Sequence, residues 1–150
     1  MKKVVSGGQT GADRAGLDVA MVFNIPVGGW CPKGRKAEDG PIDRKYPLQE
    51  TKSDEYRVRT ELNVRESDGT LIFTSGKPCG GGTALTIENA KELGKPFLVV
   101  DLKLVKRVDM VKEWLIANNI EILNIAGPRA SEKNDIYREV KVFLVELFGS

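Results

Sequence analysis

The sequence predicts an α/β fold of three layers built on a parallel five-stranded sheet. Short apolar runs alternate with helical patterns along all 150 residues, as they do when crossovers join parallel strands. The runs Thr70–Thr74 and Phe97–Val100 are nearly unbroken, as strands buried on both faces are. Three strands run out into glycine-containing turns. A parallel sheet brings such turns to one edge, where ligands of these folds bind.

The first strand is Val4-Val5, and the turn Ser6-Gly7-Gly8-Gln9-Thr10-Gly11-Ala12-Asp13-Arg14 follows it. Gly8 and Gly11 match the last two glycines of a dinucleotide fingerprint, with Ser6 where the first belongs. Ala12-Asp13 stands where a Walker loop has Lys-Ser/Thr. Glycine allows close approach to the backbone, and free N–H groups at a helix start favour an anion. Gly7, Gly8, Gln9, Thr10 and Gly11 are therefore candidate phosphate contacts, and a tight turn without a ligand accounts for the same residues. Thr10 and Asp13 have capping-box spacing; alternatively Asp13 offers a carboxylate, and Arg14 a cation, beside a ligand. A helix from Ala12 to Phe23 sets Ala12, Gly16 and Ala20 on one close-packing face, and Val27-Gly28-Gly29-Trp30 reads as the second strand.

Cys31 to Ser53 has neither a helix nor a strand period. Irregular loops longer than ~12–15 residues are usually functional or disordered, and Trp30, Ile42, Tyr46 and Leu48 argue that this one packs down. Lys33, Arg35 and Lys36 follow the second strand at the ligand edge, as cations for a phosphate or as a solvated basic turn. Ser53 is a candidate cap for a helix from Asp54 to Glu66. Charge on most of that helix's faces suits a partner subunit, a buried polar network or a plain surface helix.

After Thr70–Thr74 comes the second glycine turn, Ser75 to Thr83, and a helix from Thr83 to Leu93 that Gly94-Lys95-Pro96 stops. Ser75, Gly80, Gly81, Gly82 and Thr83 join the candidate ligand contacts. Phe97–Val100 is the fourth strand, read as buried. A helix from Val105 to Asn118, a strand from Ile120 to Ile125, a third turn from Asn124 to Ser131 and a helix from Asp135 to Phe148 complete the chain.

With 41% apolar and 29% charged residues, one domain over 1–150 is expected, long enough for a core. A net charge of +2 excludes nucleic-acid binding driven by bulk charge. No apolar run approaches the ~20 residues of a membrane span, and Lys2-Lys3 precede only two valines, so no secretory leader is expected. Cys31 and Cys79 make no disulfide framework, which points to a reducing cytoplasm. Cys79, near a helix start, is either a thiol of lowered pKa or a small residue in a tight turn. The chain has no histidine. Ser–His and Cys–His nucleophiles and His-ligated zinc are thereby removed, no metal site is expected, and acid–base chemistry falls to Asp, Glu, Lys, Tyr or Cys.

Several segments together resemble the molybdenum-cofactor carrier proteins. They are 6–15, 28–40, Tyr46-Pro47-Leu48 with Glu50-Thr51, Arg59-Thr60-Glu61 with Asn63-Val64-Arg65, and Gly80-Gly81-Gly82-Thr83. The resemblance implies a Rossmann-like fold of the superfamily that includes cytokinin-activating phosphoribohydrolases and lysine-decarboxylase-like proteins. It also implies a homo-oligomer, a tetramer, that binds the phosphate-bearing pterin of the molybdenum cofactor. The enzymes of that superfamily carry Pro-Gly-Gly-x-Gly-Thr-x-x-Glu. Here Pro78, Gly80, Gly82 and Thr83 fit, Cys79 replaces a glycine, and Thr86 stands where the catalytic glutamate belongs. Glu88 lies about 200° further round the helix. Binding of a nucleotide-like ligand is thus favoured over phosphoribohydrolase-like N-glycosidase chemistry, for which Asp13, Glu61 or Asp68 would have to serve as acid or base. A protein-interaction module with a vestigial site is a third reading. In the binding reading, N–H groups of Gly8, Gln9, Thr10, Gly11 and of Gly80–Thr83 hold the phosphate, Lys33 or Arg35 neutralises it, and Gln9 and Ser75 bond the ring or linker.

Overall fold

The computed structural model describes residues 1–76 and 80–150. Lys77, Pro78 and Cys79, the middle of the second turn, lie outside the described residues, and with them the reading of the Cys79 thiol. The fold is the expected Rossmann-like three-layer α/β sandwich. Its sheet is fully parallel, in the order β2 (Val27–Gly28), β1 (Lys3–Val5), β7 (Ile122–Ala126), β5 (Gly69–Thr74), β6 (Phe97–Asp101).

Strand alternation sorts the side chains between two unlike faces. Val4, Leu71, Phe73, Val100, Leu123 and Ile125 enter one cluster with α1 (Ala12–Val22), Val111 of α4 (Asp109–Ala117) and α5 (Ile136–Gly149). Gly16 of α1 lies so close to Ile125 that a β-carbon there would sit 3.0 Å from its side chain. The opposite face is more polar. There Asn124 donates through Nδ2 to Thr70 Oγ1 at 3.2 Å. Over that side α2 (Tyr56–Arg65) packs against α3 (Gly81–Leu93), with Asn63, Thr60, Thr83, Thr86 and Asn89 buried between them and the sheet.

Four sequence expectations are corrected. The second strand breaks at Gly29, whose φ is +122° and whose missing β-carbon would lie 2.3 Å from the Ser6 carbonyl oxygen. The chain leaves the sheet there, and Trp30–Cys31 (β3) pairs with Gln49–Glu50 (β4) as a separate parallel ribbon. Helix α2 starts at Tyr56 without a side-chain cap, because Ser53 Oγ is used one turn early, accepting from Glu55 N. Helix α3 starts at Gly81, so Gly81 and Gly82 are helical. Strand β6 is at the sheet edge, with Val99 38% exposed.

The long loop packs down as its apolar residues predicted, forming a second cluster of Leu17, Cys31, Ala37, Ile42, Tyr46 and Leu48. It is tied to α1 and α5 by polar staples. Asp18 accepts from the hydroxyls of Tyr46 and Tyr137, each at 2.5 Å. Arg14 donates to Asp39 at 2.6 Å and to the Gly8 carbonyl at 2.9 Å. Burial, then the bond to Asp18, pushes the Tyr137 phenol up to about 12 and raises that of Tyr46 as well. Among the described residues no helix is long and apolar enough to cross a membrane.

Candidate functional site

The C-terminal ends of β1, β7 and β5 and the start of α3 converge on one rim. Between them lies a cavity of about 70 Å³ lined by Gln9, Asp13, Tyr56, Arg57, Arg59, Gly82, Thr83, Thr86, Gly127, Arg129 and Glu132, among others. That is room for about two waters at their ~30 Å³ share of liquid volume. Two of its polar groups are left without partners among the described residues: Gln9 Nε2 and Arg59 Nε are buried and make no hydrogen bond there. Gln9 is 4% exposed, and its orientation is set by Oε1, which accepts from Thr10 N at 3.0 Å and Glu38 N at 2.9 Å. A buried donor without an acceptor is disfavoured by about 1–3 kcal/mol, so both atoms call for an acceptor in the cavity.

Positive charge gathers at the mouth. The Tyr56 ring has Lys36 Nζ 4.7 Å from its centroid, with the guanidinium carbons of Arg129 and Arg59 at 5.3 and 5.4 Å. Cation–π attraction holds each of them, and Asp13 beside Arg59 and Glu132 beside Arg129 offset part of the positive charge. Arg59 NH1 donates to Thr60 Oγ1 at 2.9 Å and lies 3.9 Å from Asp13 Oδ2. Beside this pair, Gly7, Thr60, Asn63, Thr86 and Asn124 line a void of about 10 Å³, the size that holds one water.

Burial raises the Asp13 carboxyl above its ordinary 3.8, against the attraction of Arg59, the Gln9 N–H, Arg14 and Arg129. A raised carboxyl contributes stability that is full below 3.8 and is lost as pH rises through the folded-state pKa. Asp13→Asn keeps an acceptor for Gln9 N–H and removes the charge. Its melting temperature is expected to exceed the wild type's at neutral pH, with the gap narrowing as pH falls through the folded-state pKa and closed below about 3.8. A gap that stays constant from pH 3 to 8 would contradict this. A buried carboxylate that lowers stability at neutral pH belongs to the kind of residue retained for function.

The candidate residues divide. Gln9, Gly82 and Thr83 line the cavity, and Gly80 is the residue preceding α3. The first turn is closed upon itself. Gly8 N donates to Ser6 Oγ, Gln9 N to Asp13 Oδ2 and Thr10 N to Gln9 Oε1, so these amides are already engaged within the protein. Thr10 Oγ1 donates to Glu38 and accepts from Ala130 N, joining the long loop to the third turn rather than capping α1. Where a β-carbon would stand, Gly7 has the Arg59 guanidinium, Gly8 has Leu48 and Ile42, and Gly11 has the backbone of 128–130.

Arg35 is not among the residues that line the cavity. It is buried, and its guanidinium donates to the carbonyls of Ile42, Leu48, Asp43 and Tyr46 at 2.8–3.3 Å, which makes it the organiser of the long loop. Lys33 is exposed and does not line the cavity. Ser75 Oγ donates to Glu139 Oε2 at 2.9 Å, turned towards α5. Of the acid–base candidates only Asp13 reaches the cavity; Glu61 pairs with Arg65, and Asp68 accepts from the backbone of Glu121 and Ile122. Thr86 lines the cavity, and its hydroxyl donates to the Gly82 carbonyl at 3.0 Å.

Tyr56, Arg57, Arg59, Arg129 and Glu132 were not among the candidate ligand contacts read from the sequence. The signal for the first three was the lack of an apolar stripe on α2, since a helix polar on all sides bridges to something polar. Arg129 was signalled only by its place in the third glycine turn.

Comparisons with known proteins agree with this architecture. A crystal structure at 1.45 Å of a protein from Syntrophus aciditrophicus SB, described as a candidate molybdenum carrier, superposes with a TM-score of 0.94 at 46% sequence identity, covering 100% of this chain and 96% of that one. Mouse centlein is 33% identical over 69 residues, 46% of this chain; the match spans only 5% of centlein's own length. The profile of one family covers residues 4–148, nearly the whole chain. This chain belongs to the circularly permutated YpsA SLOG family.

Proposed function

We propose that the protein is a binding or carrier protein for a phosphate-bearing, nucleotide-like small molecule, with the ligand's anion seated in the arginine-lined cavity. The observation that carries the reading is the convergence of Lys36, Arg59 and Arg129 on Tyr56, beside the unpartnered Gln9 and Arg59 donors. Arg–phosphate bonds are charge-assisted and strong, and α3 adds a helix start without a side-chain cap.

The finer candidate is the molybdenum cofactor, favoured by the motif resemblance and by the carrier structure from Syntrophus. The donor set fits that cofactor's phosphate end. A cavity of about 70 Å³ is well below the ~300–1,000 Å³ of whole-ligand sites, so a pterin ring would lie outside it. The same reading makes the protein a cytoplasmic homo-oligomer, a tetramer by the resemblance. Exposed Met110, Ile116, Val142 and Val145 on α4 and α5 are surfaces suited to a partner subunit.

Mass spectrometry of the small molecule that co-purifies tests the reading directly, and that molecule is expected to carry a phosphate. At 100 times its dissociation constant it should stabilise the protein by about 2.7 kcal/mol. Gly82→Val separates binding from folding. A β-carbon at Gly82 meets nothing within 4 Å among the described residues, and glycine is a poor helix residue. The variant should therefore melt no lower than the wild type while its side chain fills the cavity and removes binding. Full affinity in Gly82→Val would reject this cavity as the site.

A further inference from the structure

The residue that lies against the start of α3 is itself an anion. A β-carbon built on Gly80 would stand 2.5 Å from Glu132 Oε2, so the Glu132 carboxylate rests in the space that only glycine leaves open there. Glu132 also pairs with Arg129, whose Nε lies 3.2 Å from Oε1. The same side chain lines the cavity together with Gln9, whose buried Nε2 has no partner among the described residues. One carboxylate thus pairs with Arg129 and lies beside Gly80 at the helix start, two groups that a phosphate would use, and the donors of Gln9 and Arg59 are left unserved. It is 38% exposed and sits on the turn after β7, so it can leave without disturbing the core.

We infer that Glu132 is an internal competitor for the ligand's anion, displaced from the α3 start and from Arg129 when a phosphate binds. This rests on the reading of the cavity as an oxyanion site. The chemistry is an exchange of anions with no bond made or broken. A carboxylate reaches the mouth and stops there, whereas a tetrahedral phosphate has additional oxygens for Gln9 Nε2 and Arg59 Nε. Displacement then makes Arg129 available to the ligand. Glu132 would set the affinity of the site and keep it closed to monovalent carboxylates, which offer nothing that Glu132 does not already supply.

The test is calorimetric titration of the full chain with inorganic phosphate and, separately, acetate, in the wild type and in Glu132→Gln. Glutamine keeps the size of the side chain and removes its charge. Phosphate is expected to bind Glu132→Gln about tenfold more tightly, the scale of one carboxylate at a helix start and a freed arginine. Acetate is expected to bind the variant and not the wild type. Equal or weaker phosphate affinity in Glu132→Gln, with the wild type binding measurably, would overturn the inference and leave the oxyanion site standing. If neither protein binds phosphate, and Arg59→Met changes nothing, the oxyanion site itself fails and this inference with it. A purely structural Glu132 would instead show as a lower melting temperature with unchanged affinity.

Discussion

Arg59→Met is expected to abolish phosphate binding, with a loss of at least about 100-fold, or roughly 3 kcal/mol, as when one partner of a desolvated charge pair is truncated. No other side chain is so central to the site. Its guanidinium lies flat against Gly7, where a β-carbon would come within 2.7 Å. It holds Thr60, faces Asp13 and stacks near Tyr56, and its Nε is unpartnered. Methionine keeps the length and the apolar stem, so packing survives. The effect on stability has a different origin. Without Arg59 the Asp13 carboxyl loses its main cation, and its raised pKa rises further. Such a group is stabilising below 3.8 and loses that contribution as pH rises. Arg59→Met should therefore melt close to the wild type in acid and progressively below it towards neutrality. The double variant Asp13→Asn/Arg59→Met should recover melting temperature at neutral pH without recovering binding. Melting curves from pH 3 to 8 beside calorimetric affinities measure both. If binding returned with stability, Arg59 would be a fold residue rather than a ligand residue.

Much of the fold was legible because it depends on local alternation. The runs Val4-Val5, Leu71-Ile72-Phe73 and Leu123 to Ile125 are apolar wherever the sheet is covered, and the helices between them carry stripes. The edge position of β6 was not legible. Phe97-Leu98-Val99-Val100 is as apolar as a central strand, and only the topology leaves Val99 half open. The rim of glycine turns was read correctly as the place where the chain ends converge. The sequence assigns its anion contacts to the turn amides, because a glycine turn reads alike whether its amides face a ligand or its own side chains. Here Ser6 and Asp13, with Gln9 Oε1, engage those amides. Arg35 and Lys33 looked like ligand cations because they follow a strand. Arg35 was taken up by four carbonyls of its own loop, a long-range pattern that spacing does not show. Arg59 and Arg129 are 70 residues apart in sequence and meet only because β1, β7 and β5 are neighbours in the sheet.

Gly11→Ala should be the most damaging single substitution of the first turn, costing about 3 kcal/mol or more, while Gly81→Ala should be neutral or stabilising. Gly11 has φ +81° and ψ −130°, outside the left-handed helical region, and such a sparsely populated conformation costs a residue with a β-carbon about 1–3 kcal/mol on its own. The space is closed as well. Its β-carbon would stand 2.4 Å from the Pro128 carbonyl oxygen and 3.0 Å from Ala130 N. These are backbone atoms and cannot swing aside as the Arg59 side chain beside Gly7 can. Relief requires the first turn to move away from the third, which breaks the bond from Ala12 N to the Pro128 carbonyl at 3.1 Å and that from Ala130 N to Thr10 Oγ1 at 3.1 Å. Gly81 has neither restriction. Its φ is not positive, a β-carbon there meets nothing within 4 Å among the described residues, and it sits in the first turn of α3, where alanine is the better helix former by up to ~1 kcal/mol. Denaturant midpoints at constant m-value measure both. A Gly11→Ala protein within about 0.5 kcal/mol of wild type, the range of an ordinary surface change, would mean the two turns are not seated on each other. The placement of Arg129 beside Gln9 and Asp13 would then lose its structural basis, because the contact at Gly11 is what brings the third turn to the cavity.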